Sequence, residues 1–237
     1  NGREYGYVDE NSGFERTVKE PANGSTVVST IDLQVQSIVE QHILAFNEEH
    51  KDEETEGEGS KSTGVIVMNP QNGEIYAMVN VPEFDLNDPY TLNTTSSKNM
   101  SDKKKQEALN GMWRNACVSD TYEPGSTFKV IVAASALEAG VVKLEDTFHC
   151  PGFKVVEDRR IRCHKTTGHG SETFVQGVQN SCNPVFMEIG ARVGAKDMLK
   201  YYQKLGLYER TGVDLPGEAN SIMHKLSKIG AVELATM

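Results

Sequence analysis

The stretch Glu123-Pro124-Gly125-Ser126-Thr127-Phe128-Lys129 sets a hydroxyl and an amine three residues apart, just after a chain-breaking Pro-Gly pair. The residues that follow, Val130, Ile131, Val132, Ala133, Ala134, Ala136 and Leu137, predict a helix over 126–139 that is apolar on nearly all sides and stops at Gly140. Positions i and i+3 share a helix face, so Ser126 and Lys129 can meet. A cation in the first turn opposes the positive end of the helix dipole, and an apolar surround disfavours it further. Both effects favour the free amine, which can act as a general base and turn a hydroxyl within reach into a nucleophile. Backbone N–H groups at the same helix start can receive a developing oxyanion. The chemistry indicated is serine–lysine acyl transfer. A plainer reading competes, in which Ser126 is an N-cap and Lys129 an exposed first-turn residue. Ser-x-x-Lys is a weak pattern by itself: Ser101-Asp102-Lys103-Lys104 matches it too, but in a solvated charge run with no apolar helix.

A second element, Asn180-Ser181-Cys182-Asn183-Pro184, puts Ser181 and Asn183 two residues apart in a turn, where both side chains can point into one cleft. Here the plainer reading makes Asn183 a cap and Pro184 the first helical residue, and the two roles are compatible. The four cysteines, Cys117, Cys150, Cys163 and Cys182, include no Cys-x-x-Cys pair. His149, Cys150, Cys163 and His164 could face one another as a metal site across a hairpin. Ligand pairs in structural zinc sites usually sit two to four residues apart, so disulfide pairing or free thiols is the simpler reading and no metal is expected.

The elements that must position these groups can be read from the rest of the chain. With 38% apolar residues, 237 residues can bury one good core, or one core and a small appendage. A net charge of −10 is the wrong sign for a phosphate-backbone footprint, so nucleic acid is not an expected partner. The most apolar stretch, 130–142, falls short of the roughly 20 residues a membrane span needs. The chain opens on Asn1 in a polar run and reads as a piece of a longer protein, with residues 1–25 a linker or the tail of a preceding pedestal module. Helical spacing of Ile31, Leu33, Val35, Ile38, Val39 and Ile43 predicts a helix over 32–46 started by Asp32. Residues 48–62 read as a mobile charged loop. Residues 64–68 and 74–79 read as a hairpin, 148–163 as a second hairpin with a charged tip at 157–160, and 86–112 as ambiguous. Further helices are expected over 173–180, 184–193 and 198–205, with a loop at 213–219.

Two such elements in this order, with the first on a buried helix, are far more specific than either alone. At this point the chain resembles the penicillin-binding proteins, and within them the monofunctional class B transpeptidases. Ser126-Thr127-Phe128-Lys129 matches the family's S-x-x-K motif and Ser181-Cys182-Asn183 its S-x-N motif. Also similar are Ser29-Thr30-Ile31-Asp32, the words from Val67 to Glu74, and Thr211-Gly212-Val213-Asp214-Leu215-Pro216-Gly217-Glu218, so the resemblance covers about residues 25–219. It implies an α+β fold, an antiparallel sheet between helical layers with the nucleophile helix in the centre, and a transpeptidase domain over 26–237. It implies a peptidoglycan D,D-transpeptidase in which Ser126 attacks the penultimate D-Ala carbonyl of a stem peptide. Lys129 takes the Ser126 proton, Ser181 relays it to the leaving group, and Asn183 binds the donor backbone. β-Lactams would acylate Ser126 as substrate mimics. The resemblance implies no metal or organic cofactor. It places the protein on the extracytoplasmic face of the membrane, anchored by a segment outside this sequence, beside a membrane-embedded glycosyltransferase.

The family's third motif, Lys-Thr-Gly or Lys-Ser-Gly, is missing after Asn183, where 54 residues remain. Lys165-Thr166-Thr167-Gly168 has an extra threonine and precedes Ser181, and Arg210-Thr211-Gly212 belongs to the T-G-V-D-L-P-G-E stretch. The domain is therefore expected to be C-terminally truncated. The gap keeps a second function open, a catalytically silent scaffold or penicillin-sensing domain; a serine β-lactamase fits the lead and the T-G-V-D-L-P-G-E loop less well. Because the resemblance places the chain outside the cytoplasm, where disulfides form, a redox disulfide between Cys163 and Cys182, 19 residues apart, would disturb the second motif and be inhibitory. A structural Cys150–Cys163 bridge across the hairpin competes with it, as do free thiols. The words from Gly177 to Phe186 resemble the sporulation branch of Gram-positive spore formers, with the division branch close behind.

Overall fold

The computed structural model describes residues 3–8, 14–20, 22–51, 59–93 and 100–236. The chain divides into two compact units, Asn1–Glu83 and Phe84–Met237. In the first, β1 (Arg3–Val8) pairs antiparallel with β2 (Phe14–Lys19). Residues 1–25 thus contain a strand pair where an irregular lead was expected; the Tyr, Val, Phe and Thr residues among the charges supply the strand preference.

Helix α1 (Leu33–Glu49) follows Asp32, whose carboxylate accepts the N–H groups of Gln34 and Val35 at 2.8 and 3.1 Å. The helix runs three residues beyond the expected end. The remainder of the expected loop falls largely on residues 52–58, outside the described ones. β3 (Thr63–Met68) and β4 (Ile75–Val81) form the expected hairpin. Val35, Val39 and Ile43 of α1 lie over Ala77 and Val79, both fully buried. Side chains before and within the first turn of α1 also serve as partners for β4: Thr30 Oγ1 donates to the Ile75 carbonyl at 2.7 Å, and Met78 N–H donates to Gln36 Oε1 at 3.0 Å.

In the second unit, α2 (Asp102–Met112) resolves part of the ambiguous stretch. Ser101 is its N-cap, accepting from Lys104 N–H, so the second Ser-x-x-Lys match is a capping sequence. A short α3 (Ala116–Ser119) precedes a 3₁₀ turn over Gly125–Phe128, which runs directly into α4 (Lys129–Glu138). α4 buries Val132, Ala133, Ser135 and Ala136, while Val130 and Leu137 on other faces are exposed, so the helix is one-sided where all-round burial was expected.

The expected hairpin over 148–163 is smaller than the residue pattern suggests. β5 (Thr147–Cys150) leaves it at Pro151-Gly152 and pairs with β8 (Gly170–Thr173), Cys150 opposite Gly170, while β6 (Phe153–Val156) pairs with β7 (Arg159–Arg162) around a tip at Glu157. Pro151 has no N–H to give a ladder, and Gly152 at φ 91° turns the chain out of line. Among the described residues the strands therefore pair two by two, in four antiparallel ladders.

α5 (Phe174–Gln179) opens on a capping box between Thr173 and Gln176. After the Ser181-Cys182 turn comes α6 (Asn183–Val193), then α7 (Ala195–Lys204) and α8 (Ala231–Thr236). The core joins Val132 and Ala136 of α4 to Val185, Phe186 and Ile189 of α6, with Phe148, Phe174 and Tyr202 around them and the sulfurs of Cys150, Cys163 and Cys182 inside.

Candidate active site

Ser126 stands exposed in the 3₁₀ turn, one turn before Lys129, the first residue of α4. Side chains at i and i+3 eclipse in a 3₁₀ helix, a closer overlap than an α-helix gives. Lys129 N–H bonds the Ser126 carbonyl and holds this register. Ser126 is not the cap the plainer reading assigned, since the turn has no side-chain cap bond, and Lys129 is half-buried where that reading had it exposed. Gly125 lies at φ 58°, and a Cβ there would meet nothing within 4 Å, so glycine is needed for its backbone angle and not for space.

The Lys129 side chain reaches across to the second motif. Its Nζ donates to Asn183 Oδ1 at 2.6 Å, to the Ser181 carbonyl at 2.8 Å and to Ser181 Oγ at 3.1 Å, and lies 5.4 Å from the centre of the Phe186 ring. Three acceptors use the three N–H bonds of an ammonium. Burial nevertheless moves Lys129 below the ordinary lysine range, with the Cys163 and Cys182 sulfurs opposing that shift. Once Lys129 loses a proton its nitrogen has two N–H bonds and a lone pair, and the Ser181 hydroxyl can turn to donate to it.

Ser181 adopts φ 46°, a left-handed conformation that costs a non-glycine residue on the order of 1 kcal/mol. That turn presents both its carbonyl and its hydroxyl to Lys129. Asn183 is the first residue of α6 but not its cap; Cys182 holds that position without a side-chain bond. This leaves the Asn183 amide free to accept from Lys129 and to donate to the Arg162 carbonyl at 3.0 Å. Arg162 and Phe186 were not singled out from sequence; the first contributes through its backbone, which leaves no side-chain signal.

Behind the motif, Cys182 points inward. Ligand atoms of Cys150, Cys163, His169 and Cys182 all lie within 4.8 Å of one another, the three cysteines are buried, and all are free thiols. Burial, followed by contact with Glu172, pushes the Cys182 thiol well up; burial raises Cys150 too, but the backbone N–H groups of His169 and Gly152 and the neighbouring thiols bring it below its ordinary value. The expected histidines are not the ones gathered here. His149 alternates outward on β5, and His164 is exposed 3.9 Å from Cys163 Sγ. His169 takes their place.

The family model of the penicillin-binding protein transpeptidase domain matches residues 63–236. The chain is 38% identical over 218 residues to Stage V sporulation protein D of Bacillus subtilis, covering 91% of this chain and 30% of that protein. It is 27% identical over 224 residues to the probable peptidoglycan D,D-transpeptidase PenA of Neisseria gonorrhoeae, covering 92% and 33%. It thus spans about a third of the length of these relatives. Its fold is shared with penicillin-binding protein 3 of Mycobacterium tuberculosis, at TM-score 0.70, 24% identity and coverage of 90% of this chain and 42% of that one. The transpeptidase domain of penicillin-binding protein 3 from Burkholderia pseudomallei aligns at TM-score 0.67 and 22% identity, covering 91% and 53%.

Proposed function

Because the chain belongs to the penicillin-binding protein transpeptidase family, we propose that it carries the nucleophile side of a peptidoglycan D,D-transpeptidase site that works through an acyl-serine. The observation that carries this reading is the Lys129 amine, which spans 52 and 54 residues of sequence to reach Ser181 and Asn183.

In the proposed reaction Lys129, as the free amine, takes the Ser126 proton while Ser126 Oγ attacks the penultimate D-Ala carbonyl of a donor stem peptide. The tetrahedral intermediate collapses to the acyl-serine. Its leaving D-Ala amine is protonated from the Lys129–Ser181 pair, whose hydroxyl and amine can exchange a proton over 3.1 Å. An acceptor amine on a neighbouring stem then releases the acyl group by the reverse proton path. Asn183 holds the Lys129 nitrogen in line and offers its remaining polar capacity to the donor backbone. β-Lactams would enter as acyl donors whose leaving group stays tethered.

In the full protein, residues 26–237 would form the larger part of the transpeptidase domain, and a Lys-Thr-Gly strand from further along the chain would complete the oxyanion hole. The protein would act on the outer face of the membrane, anchored by an N-terminal segment and partnered with a membrane-embedded glycosyltransferase. The 38% identity to a sporulation protein supports a role in sporulation.

The test is intact mass after incubation with a β-lactam, on this polypeptide and on one extended past Met237. The extended protein should gain one acyl adduct, lost in Ser126→Ala. An adduct that survives Ser126→Ala, or none on the extended protein, refutes the reading and leaves a binding scaffold.

A further inference from the structure

We propose that Cys150, Cys163, His169 and Cys182 form a structural zinc site that fixes the back of the Ser181–Asn183 turn. The inference is independent of the acyl-transfer reading, because none of the four residues belongs to the proposed proton path.

Three cysteines and one histidine are a familiar closed donor set for zinc, and a tetrahedral ion with Zn–S bonds of about 2.3 Å needs its ligand atoms about 3.5–3.8 Å apart. Here they already lie within 4.8 Å, and Cys163 Sγ stands 3.7 Å from His169 Nδ1. Small rotations about the side-chain bonds close the remainder. The ligands come from the end of β5, the loop after β7, the lead into β8 and the cap of α6, so one ion would tie four separate segments together at a single point.

The backbone is built to hold this convergence. Gly152 and Gly168 both lie at positive φ, and a Cβ on Gly168 would fall 2.4 Å from the Cys150 carbonyl oxygen, so the two ligand-bearing turns are in backbone contact. The Lys165-Thr166-Thr167-Gly168 sequence is this turn, closed by Gly168 N–H to the Lys165 carbonyl at 2.9 Å.

A second, separate observation points the same way. Glu172 is buried, one carboxylate oxygen accepts from Asn180, and the other has no hydrogen-bond partner among the described residues while lying 3.9 Å from His169 Nδ1. His169 Nδ1 is the ring nitrogen near both Cys163 Sγ and this oxygen, so the open acceptor sits at the edge of the sulfur cluster, where a cation would satisfy it. Three thiolates, a neutral imidazole and Zn²⁺ sum to a single negative charge.

Elemental analysis of protein purified under reducing conditions without chelator should find about one zinc per chain. Cobalt(II) exchanged into the site should show thiolate-to-metal charge-transfer absorption and tetrahedral ligand-field bands. Cys150→Ser should lose the metal, whereas His169→Cys should retain zinc and change the cobalt spectrum, a rescue that a merely packed histidine would not give. Folded wild-type protein without zinc and without a cobalt–thiolate spectrum overturns the proposal. So does a Cys163–Cys182 disulfide found by non-reducing peptide mapping of the protein as isolated from its native compartment, since those two sulfurs would then be unavailable to an ion.

Discussion

Asn183→Asp separates proton chemistry from folding at this site. The substitution is nearly isosteric, but it puts a carboxylate where an amide oxygen now accepts from Lys129 at 2.6 Å. Coulomb's law at that distance gives about 1.6–6 kcal/mol for dielectric constants between 80 and 20. The site is half-buried and an amide dipole already faces the amine, so a net of about 2 kcal/mol, or ~1.5 pK units upward, is the reasonable value. The folded protein should not suffer equally. An anion at the first position of α6 gains roughly 0.3–1 kcal/mol from the helix dipole, while losing the bond to the Arg162 carbonyl costs about 0.5–1.5 kcal/mol. Stability should therefore change by less than ~1 kcal/mol. Two assays read the result: ¹³Cε titration of Lys129, which needs no turnover, and the pH profile of β-lactam acylation in the full-length protein. The titration midpoint and the acid limb should both move up, lowering the acylation rate below that limb by roughly 30-fold. A midpoint that stays or falls, in a variant that melts like the wild type, would refute the role given to Asn183 and Lys129.

Lys129→Met tests the same amine by linkage. Because burial lowers Lys129 in the folded state, the unfolded chain binds the proton more readily, and the stability of wild type relative to Lys129→Met should rise with pH from the lowered midpoint to the ordinary lysine value of about 10.4. Denaturation at a series of pH values would show this, and a flat or falling difference contradicts the shift. Gly125→Ala should cost about 1–2 kcal/mol through its φ of 58° and slow Ser126 acylation by turning the 3₁₀ start, as measured by urea unfolding and adduct formation. Gly168→Ala adds a steric clash with the Cys150 carbonyl to the same backbone cost, and should destabilise by about 3 kcal/mol and lower zinc content together.

What the sequence made legible was local. Asp32 as a helix start and the β3–β4 turn announce themselves locally, and the Ser126/Lys129 and Ser181/Asn183 pairs are fixed by spacing within one turn. The misreadings concern partners distant in sequence. Nothing around Thr147–Cys150 says that its partner is Gly170–Thr173 and not the strand that follows, and the only hint is Pro151. The same exchange removed His149 and His164 from the sulfur cluster and brought in His169, whose ligand spacings of 6 and 13 residues match no compact zinc motif. All-round apolarity of α4 likewise could not say which face the described residues cover.

The turn at 181–183 joins the two proposals physically. Adjacent residues in an extended-to-helical turn point opposite ways, so Ser181 and Asn183 face Lys129 while Cys182, fully buried, faces the sulfurs. Any group bound at Cys182 therefore sets the tilt of both polar neighbours. With Ser181 already in a strained left-handed conformation, the turn needs support from behind to hold that angle. An ion bonded to Cys182 and to three other elements would give that support, and a disulfide would pull the same atom along a single line toward Cys163. The middle residue of the motif then acts as a positioning residue, and its effect on acylation should track the state of its sulfur while leaving Ser126 itself untouched.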